Sequence, residues 1–170
     1  MMKTYLIIPY LLFLLSCNTD KIKIFRINIA SGISHARFPA QAVQIDSTLY
    51  YQYFGGEFSN PKGYYYGRYD KKSWRAIIKA SNEVNWDELK NTKSVNYEDW
   101  PIEIILYYSK GRKHIKTYYE HLPIELKKVV EQLLESHKRV ELVKSAVKLE
   151  FETNYQNPYP GPTKFPPTTK

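Results

Sequence analysis

The 170-residue chain has one cysteine, Cys17, and only seven glycines. One cysteine cannot form an intramolecular disulfide, so the fold has to be stabilised by a hydrophobic core. The N-terminal apolar run, residues 6–15, contains Pro9 and is shorter than the roughly 20 apolar residues of a transmembrane helix. The sequence therefore argues against a disulfide-rich scaffold and against a membrane-spanning helix in this run.

The first twenty residues have the three parts of an export signal. Lys3 gives a short basic start, the apolar run follows, and small Ser16 precedes Cys17. The sequence Leu-Leu-Ser-Cys at residues 14–17 resembles the lipobox of bacterial lipoproteins. This resemblance implies that residues 1–16 are a signal peptide removed on export, and that Cys17 is acylated with chains such as palmitate. An ordinary signal peptide, in which Cys17 is incidental, is the alternative.

The lipobox resemblance also implies a location. Each buried methylene contributes about 0.8 kcal/mol, so two or three acyl chains anchor a protein stably. We therefore expect the mature chain to be held at a membrane of the cell envelope, the outer membrane in preference to the inner one. Residues 17–20 form the lipidated anchor, 21–153 a single domain, and 154–170 a tail with five prolines that is predicted to be disordered.

The charge is strongly basic, with 25 Lys and Arg against 17 Asp and Glu, a formal net charge of +8. In a cytosolic protein this balance favours nucleic-acid binding, but we expect no nucleic-acid partner for an exported chain. Anionic head groups or polyanionic envelope sugars are the better candidates, and a solubilising surface without a partner is the alternative. The densest basic segment is a predicted hairpin that contains Arg112 and Lys113.

The hydrophobic pattern predicts an α+β fold in which an antiparallel sheet carries two helices packed on one face. One helix, residues 71–81, is capped by Asp70, and the other has Pro123 at its first position and an apolar stripe from Leu126 to Leu134. A further helical turn is predicted at 85–89 and a loop at 31–39. Strands are predicted at residues 21–30, 42–45, 49–54, 64–66 (ending before Gly67), 102–108, 113–119 and 139–143. The apolar residues that alternate at 147–151 either extend the strand at 139–143 or form another short strand.

Short motifs between residues 24 and 143 resemble a bacterial family of domains of unknown function, DUF6438. They are the segments 32–39, 43–46, 53–56, 62–67, 86–89, and 113–116 ahead of 122–123. The family pattern includes a cysteine pair before a proline, but the matching positions here are Ser34 and Phe38 before Pro39. Any disulfide, redox or metal role that the resemblance implies for that pair is absent from this member. The family has no established activity to transfer.

The tyrosine-rich stretch between residues 50 and 69 is the most unusual feature of the composition. Tyr64 and Tyr66 are candidate sugar-binding residues, because an aromatic face with a polar tip suits a sugar ring. Tyrosine is also a favoured strand residue, so packing within the sheet is the alternative. Together with Arg112 and Lys113, these two tyrosines are the predicted binding residues.

No catalytic or metal-binding motif is evident. The four histidines (His35, His114, His121 and His137) lack the spacing of metal ligands, so we predict no metal and no cofactor. An acidic cluster could supply the carboxylate pair of a hydrolase; its members are Asp87, Glu88, Glu98, Asp99 and Glu103. We expect a non-enzymatic binding or interaction module for an envelope protein or glycan, with a hydrolase that uses this cluster as the alternative.

Overall fold

The computed structural model describes residues 23–32, 39–92 and 100–154. Over these ranges the chain forms seven strands, two α-helices and two 3-10 turns, Tyr119–His121 and Ser136–Arg139. The strands and helices are β1 Ile24–Ser31, β2 Gln41–Asp46, β3 Tyr50–Gly55, β4 Gly63–Arg68, α1 Lys71–Ser81, β5 Pro101–Tyr108, β6 Gly111–Tyr118, α2 Ile124–Leu134 and β7 Val143–Lys144.

The strands form one sheet in the order β6-β5-β1-β2-β3-β4-β7, and every neighbouring pair is antiparallel. At the centre of the sheet, Ile29 lies opposite Val43 on one side and Ile104 on the other. The predicted hairpins β2–β3 and β5–β6 are both present. The predicted α+β class with an antiparallel sheet is confirmed.

One face of the sheet carries the main core. Successive side chains of a strand point to opposite faces, so alternate residues such as Ile29, Val43 and Tyr53 reach this core together. Both helices pack on the same face, with Trp74 and Ile77 of α1 buried in the same cluster as the apolar stripe of α2. The predicted placement of the helices on one face is confirmed.

Helix α1 has the predicted bounds, because its N-terminal cap and its apolar face are both where the sequence predicts them. The Asp70 carboxylate accepts a hydrogen bond of 2.8 Å from the Ser73 amide, which satisfies one of the free donors of the first turn. Hydrogen bonds from Ser73 hold the pKa of Asp70 below its usual value. Trp74 and Ile77 then occupy one buried face at helical spacing.

The opposite face of the sheet is covered by an irregular segment, residues 145–154, which we call the strap. It leaves the β7 edge and crosses several strands. Phe151 packs against the small, fully buried Ala30 and Ala42. Further along, Glu152 accepts a hydrogen bond of 2.9 Å from Arg26, and the Asn154 amide donates one of 2.7 Å to Glu103. The strap therefore packs on this face of the sheet, as the two helices pack on the other face.

The predicted strand at 139–143 is wrong for most of its length. Arg139 closes a 3-10 turn, and only Val143 and Lys144 pair with β4. The suggested strand at 147–151 is also wrong. The Ser145 hydroxyl donates to the Val147 carbonyl at 2.7 Å, a local turn that directs the chain away from the sheet edge.

Four smaller expectations also need correction. Gly67 lies inside β4, and Ser31 belongs to β1 rather than to a loop. Pro123 is the cap residue of α2, because its ψ of 152° is extended and not helical. Trp86 lies in a turn rather than a helical turn, and its indole nitrogen donates to the Ser81 carbonyl at 2.8 Å.

Asn154, expected to begin a disordered tail, is held at Glu103. Several predicted features lie outside the described residues: the signal peptide, Cys17, the start of the predicted first strand, residues 33–38, residues 93–99 and residues 155–170.

Candidate functional site

A cleft of about 390 Å³ lies where the end of α2 meets the ends of the central strands. This volume falls in the range of small-molecule sites. The sheet side contributes Gln41 and Tyr53, and Trp100 lies just before β5. The end of α2 and the turn after it contribute Glu131, Glu135, His137 and Lys138.

The wall of the cleft contains a stacked pair of rings. Tyr53 and His137 have centroids 4.7 Å apart and an interplanar angle of 20°. Tyr53 is fully buried, and burial raises the pKa of its hydroxyl to about 12. Gly55 makes room for this arrangement, because a Cβ there would lie 2.1 Å from the Pro61 carbonyl and 2.9 Å from the Tyr53 hydroxyl.

His137 has a defined orientation. Its Nδ1 lies 2.9 Å from the Leu134 carbonyl, which can only accept, so Nδ1 carries the proton of the neutral ring. Burial is the largest influence on its pKa and lowers it, although the carbonyl of Leu134 acts in the opposite direction. Burial therefore favours the uncharged form of the ring, with its Nδ1 hydrogen directed at the Leu134 carbonyl.

The cleft is lined by several hydrogen-bond acceptors. Gln41 is 4% exposed, and its Oε1 has no hydrogen-bond partner among the described residues. Glu131 accepts a hydrogen bond from the Tyr119 hydroxyl, and Glu135 is 3.0 Å from the Lys138 ammonium. A buried acceptor without a partner is unfavourable, so the cleft is suited to a ligand that donates hydrogen bonds.

The predicted binding tyrosines lie on the strap-covered face of β4. Tyr64 is half-buried, with its ring 4.9 Å from the Phe54 ring, in the cluster that also contains Phe151. Tyr66 is 39% exposed and lies opposite Val143 in the sheet. Packing thus accounts for Tyr64, whereas the ring of Tyr66 is open at the surface.

The predicted basic residues lie elsewhere. Arg112 and Lys113 belong to β6, at the other edge of the sheet from the tyrosines. Five strand spacings separate β6 from β4 in the sheet order, or roughly 24 Å at about 4.8 Å each. The guanidinium of Arg112 lies 5.7 Å from the centroid of the Tyr107 ring. The four predicted binding residues therefore do not form one site.

The described members of the acidic cluster do not meet in a pocket. Asp87 and Glu88 are exposed in the turn after α1, on the helix side of the sheet. Glu103 is buried on the strap side, where its carboxylate lies 2.7 Å from His114 and 3.6 Å from Lys116. Glu98 and Asp99 lie outside the described residues. The carboxylates that line the cleft are Glu131 and Glu135.

The histidines have separate environments in the part of the chain that the structure describes. His114 contacts Glu103, His121 lies with its ring 6.1 Å from that of Tyr118, and His137 lines the cleft. Within these ranges no group of three His, Cys, Asp or Glu residues could hold a metal ion. His35 is outside the described residues.

The sequence interpretation missed the cleft, although one signal for it was present. Gln41 precedes Val43 and Ile45 at alternate positions, so it occupies the apolar face of β2. An amide at such a position is either satisfied in the core or directed to a ligand. The contributions of Glu131 and His137 could not be found this way, because they depend on how α2 ends over the sheet.

The family described as domain of unknown function (DUF6438) matches residues 25–137. This range covers β1 to the second 3-10 turn, and the chain belongs to this family. The cleft lies within the matched range apart from Lys138, whereas β7 and the strap lie beyond it. No curated protein and no solved structure matches the chain.

Helices α1 and α2 have 11 residues each, and across the described ranges no helix is long and apolar enough to cross a membrane.

Proposed function

We propose that this chain is a lipid-anchored binding module of the bacterial cell envelope, and that its cleft holds a hydroxyl-rich ligand such as a sugar unit of an envelope glycan. Gln41 carries the proposal, because its buried amide oxygen lines the cleft without a partner among the described residues. A sugar hydroxyl would donate to this oxygen and to the nearby carboxylates.

The remaining groups of the cleft fit the same class of ligand. Glu131 and Glu135 are acceptors that line the cleft beside the His137 ring. Sugar hydroxyls can also accept, so Lys138 is a suitable donor to them. A ligand with several hydroxyl groups satisfies both kinds of partner.

The anchor is the second part of the proposal. Residues 14–17 have the lipobox pattern, and Cys17 is the only cysteine of the chain. Acylation would leave no free thiol in an oxidising compartment. A module held at the membrane in this way would meet envelope glycans at high local concentration.

The binding test uses the purified protein and a panel of bacterial envelope oligosaccharides, with affinities measured by titration calorimetry. Gln41→Leu keeps a similar volume and removes the amide oxygen. We expect it to weaken binding by about tenfold, the effect of losing one hydrogen bond of about 1.4 kcal/mol. Gln132→Leu, on α2 but outside the cleft lining, is the matched control and should bind with unchanged affinity.

Two results would contradict the proposal. One is the absence of binding to every oligosaccharide of the panel, and the other is equal loss of affinity in both variants. Conversion of a bound oligosaccharide into shorter products would instead establish the hydrolase alternative. Glu135→Gln and Glu103→Gln would then show whether the cleft or the predicted acidic cluster is responsible.

A further inference from the structure

The two ends of the sheet differ in character. At one end, the Ser109 amide donates to the Lys23 carbonyl at 2.8 Å, so the start of β1 lies beside the β5–β6 turn. The Ser47 amide donates to the Phe25 carbonyl at 2.7 Å, which brings the β2–β3 turn to the same end. The cleft lies at the opposite end, where Gln41 pairs with Gly55. We call the first of these the Lys23 end.

The Lys23 end carries an excess of positive charge. Its cations are Lys23, Arg68, Lys71, Lys110, Arg112 and Lys113. Its acidic residues are Asp46, Asp70 and Glu152. The carboxylates of Asp46 and Asp70 accept local hydrogen bonds from Thr48 and Ser73, and Glu152 is paired with Arg26, which lies opposite Asp46 in the sheet. Lys23, Lys110 and Arg112 are exposed, and none of the six cations is in an ion pair among the described residues.

The position of Cys17 in the sequence connects this end to the membrane. Six peptide units separate Cys17 from Lys23. A fully extended chain spans at most about 3.6 Å per residue, so Lys23 cannot lie further than roughly 22 Å from an acylated Cys17. The short segment between an acylated Cys17 and Lys23 therefore keeps the Lys23 end near the bilayer surface.

We propose that the Lys23 end docks on anionic phospholipid head groups and so directs the cleft away from the bilayer. This inference rests on the lipid anchor of the proposed function. Charge complementarity selects the anionic lipid surface as the occupant, since exposed cations without ion pairs gain most from a negative surface within a Debye length. An eight-residue strand such as β1 spans about 26 Å, which separates the cleft from the docked end.

The expected strength of docking follows from the number of positive charges at the Lys23 end. Each Lys or Arg near an anionic surface favours the docked state about fivefold, so replacing three of them should shift the docked-to-undocked ratio by about 100-fold. Added salt should act in the same direction, because the Debye length falls from about 10 Å at 0.1 M to about 3 Å at 1 M. A purely tethered domain would respond to neither change.

The experiment uses the lipidated full-length product reconstituted in vesicles that carry a nitroxide on a neutral head group. Because Cys17 is acylated, Ser47→Cys introduces the only free thiol, at the Lys23 end, and Glu57→Cys does so at the other end; both positions are exposed. A fluorescent label at Ser47→Cys should be quenched more strongly in vesicles of phosphatidylcholine with phosphatidylglycerol than in phosphatidylcholine alone. The label at Glu57→Cys should be quenched weakly in both.

The charge variant replaces three cations of the Lys23 end, Lys110→Gln, Arg112→Gln and Lys113→Gln. Its matched control replaces Lys62, Lys90 and Lys128 with glutamine, since these three are exposed elsewhere. We expect the first variant, and 1 M salt, to abolish the extra quenching in anionic vesicles, and the control variant to retain it. Circular dichroism of both variants checks that the fold is intact.

Vesicle flotation separates this inference from the anchor on which it rests. Protein that fails to float with vesicles overturns the anchor and the docking with it. Protein that floats but shows equal quenching at both label positions, or equal quenching in neutral and anionic vesicles, overturns the docking alone.

Discussion

Glu103 is the most constrained charged residue among those that the structure describes. It is 2% exposed, and its carboxylate contacts the His114 ring and the Lys116 ammonium on one oxygen and the Asn154 amide on the other. The residue therefore links β5, β6 and the end of the strap. Its carboxylate oxygens are already engaged, which is typical of a structural role.

Replacing Glu103 by alanine should lower the free energy of unfolding by about 3 kcal/mol, because three polar partners lose a buried carboxylate. The measurement is denaturant unfolding followed by tryptophan fluorescence. Glu88→Ala, at an exposed position in a turn, is the control and should change stability by less than about 0.5 kcal/mol. Equal stability of the two variants would show that Glu103 is not a structural link.

Buried tyrosines give the molecule a predictable sensitivity to alkaline pH. Burial raises the pKa of Tyr51, Tyr53 and Tyr69, and that of Tyr53 rises from 10.0 to about 12. Above pH 10 the unfolded chain loses these protons while the folded chain retains them, so the unfolded state binds fewer protons. Stability is therefore fully present below pH 10 and falls as the pH rises towards 12.

The contribution of Tyr53 can be isolated by Tyr53→Phe. Each retained proton lowers the free energy of unfolding by about 1.4 kcal/mol per pH unit in this window. Tyr53→Phe should reduce the slope of stability against pH between 10 and 12 by about this amount. Tyr50→Phe, at an exposed position, is the matched control. A wild-type protein of constant stability from pH 9 to 12 would contradict the prediction.

At the scale of elements, the strap lies outside the family match, which ends at His137. A chain that stops after Lys144 should be destabilised by about 3 kcal/mol or more, because it loses the packing of Phe151 on Ala30 and Ala42 as well as two polar contacts of the strap. The same chain should bind a hydrophobic dye at the uncovered face.

A chain that stops after Asn154 is the matched control for this truncation. It retains every contact described for the strap, and we expect its thermal midpoint to exceed that of the shorter chain by at least about 6 °C. This difference assumes about 2 °C or more per kcal/mol for a domain of this size. Equal midpoints for the two truncations would show that the strap does not stabilise the sheet.

The elements that were predicted correctly are those whose signals are local. The bounds of α1 follow from Asp70 and from the spacing of Trp74 and Ile77, and the hairpins follow from two alternating runs around a turn. The strap was mistaken for a strand because Phe151 follows two apolar residues at alternate positions. Alternation within one segment does not reveal whether that segment lies in a sheet or crosses over it.

The motifs that carry the family resemblance also have local structural causes. A Cβ at Gly56 would lie 2.7 Å from the Ala40 carbonyl, and one at Gly67 would lie 2.7 Å from the Glu141 carbonyl. Gly63 has a φ of +113°, which favours glycine. Close backbone approach at Gly56 and Gly67, and the turn geometry at Gly63, therefore account for these glycines of the family motifs.

At the scale of the whole molecule, the cleft could not have been predicted from the sequence because it depends on distant segments. Gln41 lies on β2, whereas Glu131 lies about 90 residues later, on α2, and His137 lies in the 3-10 turn that follows α2. Their meeting depends on the angle at which α2 crosses the sheet. The predicted binding residues likewise lie apart, because the sheet order separates β4, with Tyr64 and Tyr66, from β6, with Arg112 and Lys113.

The proposed membrane attachment of the whole molecule can be tested with a single substitution. Cys17→Ala should move the protein from the membrane fraction to the soluble fraction, because it removes the proposed site of acylation. Its thermal midpoint should not change, since a single cysteine cannot form an intramolecular disulfide and the described fold begins six residues later, at Lys23. Ser16→Ala keeps a small residue before the cysteine and should remain in the membrane fraction. Unchanged partitioning of Cys17→Ala into the detergent phase would show that another part of the chain holds the protein at the membrane.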